Sequence, residues 1–103
     1  MFSIKAKATK LIDNSSYPEI VLCEIVDIDG QKHEFIEKWP VVSAEDFENS
    51  FPRKCELGCI VLEEKGTSYL VSTEQPWHIE STDEKTIFEI SKEQLLETES
   101  FPE

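Results

Sequence analysis

Hydrophobic and polar positions alternate over short stretches along this chain, a pattern typical of β-strands separated by turns. The clearest case is residues 22–36, in which two β-prone stretches flank Asp29-Gly30. Asp-Gly favours a two-residue type I′ hairpin turn, which would place Cys23 opposite Ile36. Both faces of such a hairpin carry apolar side chains, so the pattern predicts that something covers each face.

Two further hairpins follow from the same alternation. One spans residues 59–72 and turns at residues 65–66, where Lys-Gly supplies the turn. The other spans residues 77–90 and places His78 opposite Glu89. With the first hairpin they predict a sheet built from neighbouring segments of the chain.

One strand and two helices complete the predicted architecture. Residues 4–12 alternate weakly, and their lysines favour a strand at a sheet edge. Patterns typical of capping boxes predict two short helices that begin at Ser43 and Ser91, the first ending before Pro52. We therefore predict a mainly β fold, a small antiparallel β-barrel or sandwich of six to seven strands with two short helices.

The length of 103 residues fits a single domain. We place this β-barrel-like domain at residues 1–98 and a loose acidic C-terminal tail at residues 99–103. The apolar stretches are far shorter than the roughly 18 residues that span a bilayer, and the first residues lack the apolar segment of a signal peptide. Three cysteines, an odd number, favour reduced thiols, so we expect a cytoplasmic protein without membrane contact.

The charge excludes one class of partner. The chain has 22 acidic against 10 basic residues and a net charge of −12, with acids spread through the folding part of the sequence. Nucleic-acid binding needs a basic surface, and the three lysines near the N-terminus are too few to provide one. We expect no nucleic acid and instead a protein partner, in particular a basic one. Self-association into a homo-oligomer is a further way to cover the second face of the strands.

The residues that carry chemistry do not form a catalytic set. Cys55 and Cys59 invite a zinc interpretation, but residues four apart in a strand lie about 13 Å apart, too far for two Zn–S bonds of about 2.3 Å. Cys23 falls in mid-strand, where a thiol is usually a small core residue. His33 and His78 each stand alone, and no glycine-rich phosphate loop exists. We predict no enzyme activity, no metal and no cofactor.

The best candidate for a functional surface is residues 73–81, which bring a Pro-Trp pair beside acids. A Trp-Pro pair also follows the first hairpin at residues 39–40. Tryptophans near loops can anchor protein partners, although an indole equally fills the end of a core. The residues predicted to bind a partner are Trp39, Glu74, Trp77, His78, Glu80 and Asp83.

Two segments, residues 25–41 and residues 76–90, together resemble small acidic bacterial β-barrel proteins of unassigned function. The resemblance implies a hairpin-and-barrel fold and supplies no site residues. We interpret the chain as a non-enzymatic protein-interaction module. The alternatives are an immunity-type inhibitor of a basic toxin, by analogy of size and charge, and a small-ligand-binding or enzymatic barrel whose pocket is lined by His33, Phe35 or Trp77.

Overall fold

The computed structural model describes residues 1–97, in which seven antiparallel strands form one sheet that curls into a half-barrel. The elements, in chain order, are β1 (Phe2–Asp13), β2 (Ile20–Val26), β3 (Lys32–Lys38), α1 (Trp39–Val42), β4 (Arg53–Glu64), β5 (Ser68–Ser72), β6 (Ile87–Ser91), a 3-10 turn (Lys92–Gln94) and β7 (Leu95–Glu97). Neighbouring strands follow the order β3-β2-β1-β4-β5-β6, and β7 pairs with β1. The predicted mainly β class is confirmed.

Strand β1 is the centre of the sheet, so its predicted place at an edge is wrong. Its first half pairs with β4 and its second half with β2. Register shifts between Ala8 and Lys10 and between Leu11 and Asp13 bend the strand, as β-bulges do, so that one strand serves both neighbours. Its lysines lie on the convex face of the sheet and are exposed to solvent, so they do not protect a strand edge.

The core fills the concave face of the half-barrel. Alternate residues of several strands are fully buried there, among them Ile4, Val21, Phe35, Leu57 and Ile90. Each such side chain contributes about 1.5–3 kcal/mol through burial. On the convex face apolar side chains remain half exposed among the described residues, so the expectation that both faces are covered is not met within this chain.

The two edge strands approach each other through side chains and two loops, and in one of these loops the backbone N–H of Ile28 donates to the carbonyl of Glu89 over 2.9 Å. Phe88 of β6 packs edge-to-face against Phe35, with ring centroids 5.5 Å apart, and against His33 at 4.9 Å. The backbone N–H of Thr82 donates to the carbonyl of Glu34 over 2.7 Å. These contacts stabilise the curved half-barrel shape of the sheet.

The first hairpin forms where predicted, but its register is shifted by one residue. Cys23 pairs with Phe35 instead of Ile36. A type I′ turn needs two residues with positive φ, and of the two predicted turn residues only Gly30 has one, at 81°. The Asp27 carboxylate instead accepts hydrogen bonds from the backbone N–H groups of Asp29 and Gln31, both at 2.9 Å, which lengthens the loop. The shift turns Phe35 into the core.

The second hairpin is confirmed and the third is wrong. The chain turns at Gly66, whose φ is 74°, between β4 and β5. Residues 77–81 form no strand, because β5 already pairs with β6 along the edge that they would occupy. Glu89 therefore pairs with Leu70 and not with His78.

Only one helix forms within residues 1–97, not two. The segment after Ser43 is irregular because its carbonyl groups are hydrogen-bonded by side chains from elsewhere in the fold. The Trp39 indole N–H donates to the carbonyl of Glu45, and the Arg53 guanidinium donates to two carbonyls further along.

The capping box predicted at Ser91 is present, with Gln94 as its partner. Only a single 3-10 turn follows, because Leu95 enters β7. The predicted tail at residues 99–103 lies outside the described residues. Within residues 1–97 no helix is long and apolar enough to cross a bilayer.

Candidate functional site

Residues 73–86, which join β5 to β6 and are called here the 73–86 connection, contain most of the predicted partner-binding residues. The first residue of the connection, Thr73, is fully buried and holds the connection in place. The Thr73 hydroxyl donates to the carbonyl of Ile79 over 2.6 Å, and the N–H of Ile79 donates back to the carbonyl of Thr73 over 2.9 Å. The N–H of Thr73 donates to the carbonyl of Thr86 over 2.8 Å. The two ends of the connection are thus tied together and to its middle.

A second fixed point is Ser81, which is also buried. Its hydroxyl oxygen accepts from the backbone N–H groups of Asp83 at 3.3 Å and Lys85 at 3.0 Å. Its own N–H donates to the carbonyl of Lys85 over 2.9 Å. A segment held at so many points presents its exposed side chains in fixed positions, which lowers the entropy lost on binding.

Trp77 is the large side chain that the connection presents. It is 55% exposed, and the indole lies against Gly58 of β4. A Cβ atom at Gly58 would come within 2.6 Å of Trp77 Cδ1 and 2.9 Å of Nε1. The indole therefore occupies space that only glycine leaves free. The next residue, His78, has a φ of 55° and lies between the exposed Trp77 and the fully buried Ile79.

Four carboxylate side chains lie near Trp77 in the sequence. Glu74, Glu80, Asp83 and Glu84 are all exposed, and none of them has an ion-pair partner within residues 1–97. Lys85 is the only lysine or arginine of the connection. The result is a local negative field around a fixed aromatic side chain.

Five of the six predicted partner-binding residues lie in this connection, and Trp39 does not. Trp39 is 3% exposed and donates its indole N–H to the Glu45 carbonyl over 2.7 Å. Its ring meets Phe47 edge-to-face, with centroids 5.7 Å apart, and the Arg53 guanidinium lies 4.6 Å from the ring centroid. Trp39 is a core residue that joins α1 to β4.

A cleft of about 950 Å³ adjoins Trp77. It is lined by β4, the first half of β1, residues 40–45, Trp77 and Leu96. Sequence reasoning missed both this cleft and Gly58. A glycine inside a strand is a recognised sign of close approach by another group, and Gly58 was the available signal.

His33 and Asp27 form the one imidazole–carboxylate pair within residues 1–97, with His33 Nε2 2.8 Å from Asp27 Oδ2. Both side chains are largely buried, and the carboxylate also caps the loop of the first hairpin. Burial acts to raise the pKa of Asp27. The hydrogen bonds from His33 and from the backbone of Gln31 and Asp29 outweigh burial and hold the pKa below its usual value. The pair therefore closes a turn.

Acid is expected to weaken the fold through Asp27. Its pKa is lower in the folded chain than in the unfolded one, so the ionised carboxylate stabilises the fold above the unfolded pKa of about 3.9. That contribution is lost as the pH falls through the lower folded value. Urea unfolding at neutral pH and near pH 3 should show a smaller acid-induced loss for Asp27→Asn than for the wild type, with Asp29→Asn as the control. Equal losses for both variants would contradict this assignment.

The three cysteines are buried free thiols. The Cys55 thiol donates to the Cys23 sulfur over 3.6 Å, and this hydrogen bond, together with burial, raises the pKa of Cys23 far above its usual range. Burial alone raises the pKa of Cys59 to about 11. Cys23 and Cys59 are therefore protonated at neutral pH and poor nucleophiles. Within residues 1–97 no three His, Cys, Asp or Glu side chains converge as metal ligands would.

Comparison with protein-family models, with characterised proteins and with solved structures finds no match to this chain.

Proposed function

We propose that the protein is a non-enzymatic protein-interaction module that docks a basic protein surface on the 73–86 connection. The observation that carries this proposal is the half-exposed Trp77 indole, seated on Gly58 within a hydrogen-bonded framework and accompanied by carboxylates that have no ion-pair partner among residues 1–97. A basic toxin bound by an immunity-type inhibitor is one class of partner that fits this charge.

The chemistry of Trp77 favours a protein partner. Tryptophan is enriched among the residues that contribute most to protein interfaces, because it buries a large apolar area with few rotatable bonds. A framework fixed at Thr73 and Ser81 adds little ordering cost on binding. The exposed carboxylates of the 73–86 connection would steer a cationic surface toward the indole and repel nucleic acid.

A non-enzymatic role is supported by the state of the groups that usually carry catalysis. The Cys23 and Cys59 thiols are protonated and enclosed by the core. The His33–Asp27 pair is committed to a hairpin loop. Neither the thiols nor the His33–Asp27 pair therefore supplies a nucleophile at the 73–86 connection.

Reversing the charge of the connection is expected to weaken partner binding about tenfold at low salt, mostly through a slower association rate. The test variant is Glu80→Lys/Asp83→Lys. Its association and dissociation rates with the protein that the wild-type chain captures are measured by surface plasmon resonance at several salt concentrations.

The matched control is Asp46→Lys/Glu48→Lys, which makes the same change in net charge at exposed positions of another loop. If both double variants lose the same affinity, only the overall charge matters and the connection is not the site. If neither loses affinity, the acids serve solubility and the proposal fails.

A further inference from the structure

The cleft beside Trp77 lies over the outer surface of the β1–β4 strand pair. The lining residues of this pair that face away from the core are Ser3, Lys5, Lys54, Glu56 and Gly58. The residues that alternate with them, such as Ile4 and Leu57, are fully buried on the concave side. The floor of the cleft is therefore the convex face of the sheet, and residues 40–45 and Leu96 add to its lining.

Two lysines in this lining form no salt bridge within residues 1–97. Lys5 and Lys54 are both exposed. Because Lys5 pairs with Glu56, Lys5 and Lys54 are diagonal neighbours on one face of adjacent strands, about 7–8 Å apart. Their long side chains can bring both ammonium groups to the same anion. Such a pair is uncommon in a chain with 22 acidic and only 10 basic residues.

Two carboxylates among residues 1–97 also line the cleft, and each has another partner. Glu56 Oε1 accepts a hydrogen bond from the Ser3 hydroxyl over 2.8 Å. The register places Ser3 and Lys54 on opposite sides of Glu56, so this carboxylate leans away from Lys54. Glu45 lies 3.3 Å from the Arg53 guanidinium. Neither carboxylate therefore forms an ion pair with the lysines of the cleft.

Apolar side chains and the size of the cleft favour a small molecule. Val41 and Leu96 are half-buried, and the Trp77 indole is half exposed beside them in the lining. The volume of about 950 Å³ lies within the range of about 300–1,000 Å³ that is typical of small-molecule sites, which combine apolar walls with a few polar groups. Two lysines neutralise too few phosphates to hold a nucleic acid. Positive charge in the lining also disfavours a basic ligand.

We infer that this cleft binds a small organic anion, an apolar body that carries a carboxylate or a phosphate. The acidic group contacts the ammonium groups of Lys5 and Lys54. The apolar body lies against Val41, Leu96 and the Trp77 indole. This inference goes beyond the proposed function and does not depend on it, since the basic partner is expected at the exposed carboxylates of the 73–86 connection.

The probe is 8-anilinonaphthalene-1-sulfonate, a fluorescent aromatic anion, and the matched uncharged probe is N-phenyl-1-naphthylamine. Titration of the folded wild-type chain at low salt is expected to show saturable binding of the anion, at least tenfold tighter than that of the uncharged probe. Added salt should narrow this difference, because exposed charges are screened. Absence of saturable binding by the anion, or equal affinity for both probes, would overturn the inference.

The role of the two lysines is tested by Lys5→Gln/Lys54→Gln, which is expected to weaken binding of the anion about tenfold and to leave the uncharged probe unaffected. The matched control is Lys10→Gln/Lys38→Gln, which makes the same change in net charge at exposed lysines outside the lining and should bind the anion as the wild type does. Equal weakening by both double variants would mean that only the overall charge matters. Unchanged binding by both would mean that apolar surface alone holds the probe, and either result overturns the inference.

A variant that fills the cleft tests the location. Ala44 is exposed and lines the cleft, so Ala44→Trp should weaken binding of the anion at least tenfold, with an unchanged circular dichroism spectrum. Asn49→Trp places the same indole at an exposed position outside the lining and should bind as the wild type does. Equal binding by the two variants would place the anion elsewhere and overturn the inference.

Competition identifies the acidic group. 1-Naphthoate and 1-naphthyl phosphate share one ring system and differ in the anion, and at least one of them should displace the fluorescent probe from the wild-type chain. The stronger competitor identifies the cleft as a carboxylate or a phosphate site. Failure of both to displace the probe would show that the cleft does not recognise either group, and the inference would be wrong.

Discussion

Trp39→Ala is expected to lower the free energy of unfolding by about 3–5 kcal/mol, the largest loss of stability anticipated for a single change in this protein. The substitution removes a buried indole, its edge-to-face contact with Phe47 and its contact with the Arg53 guanidinium. It also leaves the Glu45 carbonyl without the indole N–H donor. Because these contacts join α1 and residues 43–52 to β4, the loss should appear in urea unfolding as a lower midpoint.

The matched control for this experiment is Trp77→Ala. The same atoms are removed, but from a side chain that is 55% exposed and lies on the outer side of Gly58. We expect a smaller loss of about 1–2 kcal/mol, since only about half of the indole area leaves water when this side chain is seated. Equal losses for the two variants would mean that Trp77 is also part of the core, and the distinction between a core tryptophan and a presented one would fail.

Gly58→Ala is expected to displace the Trp77 indole and abolish partner binding while the fold persists. The new methyl group would lie 2.6 Å from Trp77 Cδ1 and 3.4 Å from Pro76 Cδ, so the indole must leave its seat. The loss of stability should be about 1–2 kcal/mol, within the range for added methyl groups at packed sites. A shift of the Trp77 indole N–H resonance in a proton–nitrogen spectrum reports the displacement directly.

The Trp77→Ala background provides the control for the glycine. Without the indole, the nearest neighbour of a Cβ at position 58 is Pro76 Cδ at 3.4 Å, an ordinary contact distance. Alanine is then preferred over glycine in a strand by about 0.5–1 kcal/mol. Gly58→Ala should therefore destabilise the wild type and stabilise the Trp77→Ala variant, a reversal of sign in the double-mutant cycle. The same sign in both backgrounds would show that Gly58 does not seat the indole.

The parts of the fold that sequence reasoning predicted are those governed by local chemistry. The turn at Gly66 and the capping box at Ser91 and Gln94 depend on residues within a few positions of each other, and both are present. The register of the first hairpin was mispredicted because Asp27 caps its loop and pairs with His33, and that role cannot be read from an Asp-Gly pair. A third hairpin was predicted because the edge of β5 was not known to be occupied by β6.

The candidate site shows the same division. The Pro-Trp pair among acids within residues 73–81 pointed to this segment. The structure adds the hydrogen-bonded framework that fixes the connection. Trp39 and Trp77 each stand beside a proline, so sequence could not separate them. Their difference is tertiary: the Trp39 indole is buried in the core against Phe47, whereas the Trp77 indole lies over Gly58 of β4 and is half exposed.

The role of Trp77 as an anchor is tested by the affinity of Trp77→Ala for the protein that the wild-type chain captures, determined by titration calorimetry beside a thermal unfolding curve of the same sample. We expect the binding free energy to weaken by about 2 kcal/mol or more, near thirtyfold in affinity, because the anchor of the interface is removed. The unfolding midpoint should fall less than that of Trp39→Ala. Unchanged affinity in a folded Trp77→Ala variant would show that Trp77 does not anchor a partner.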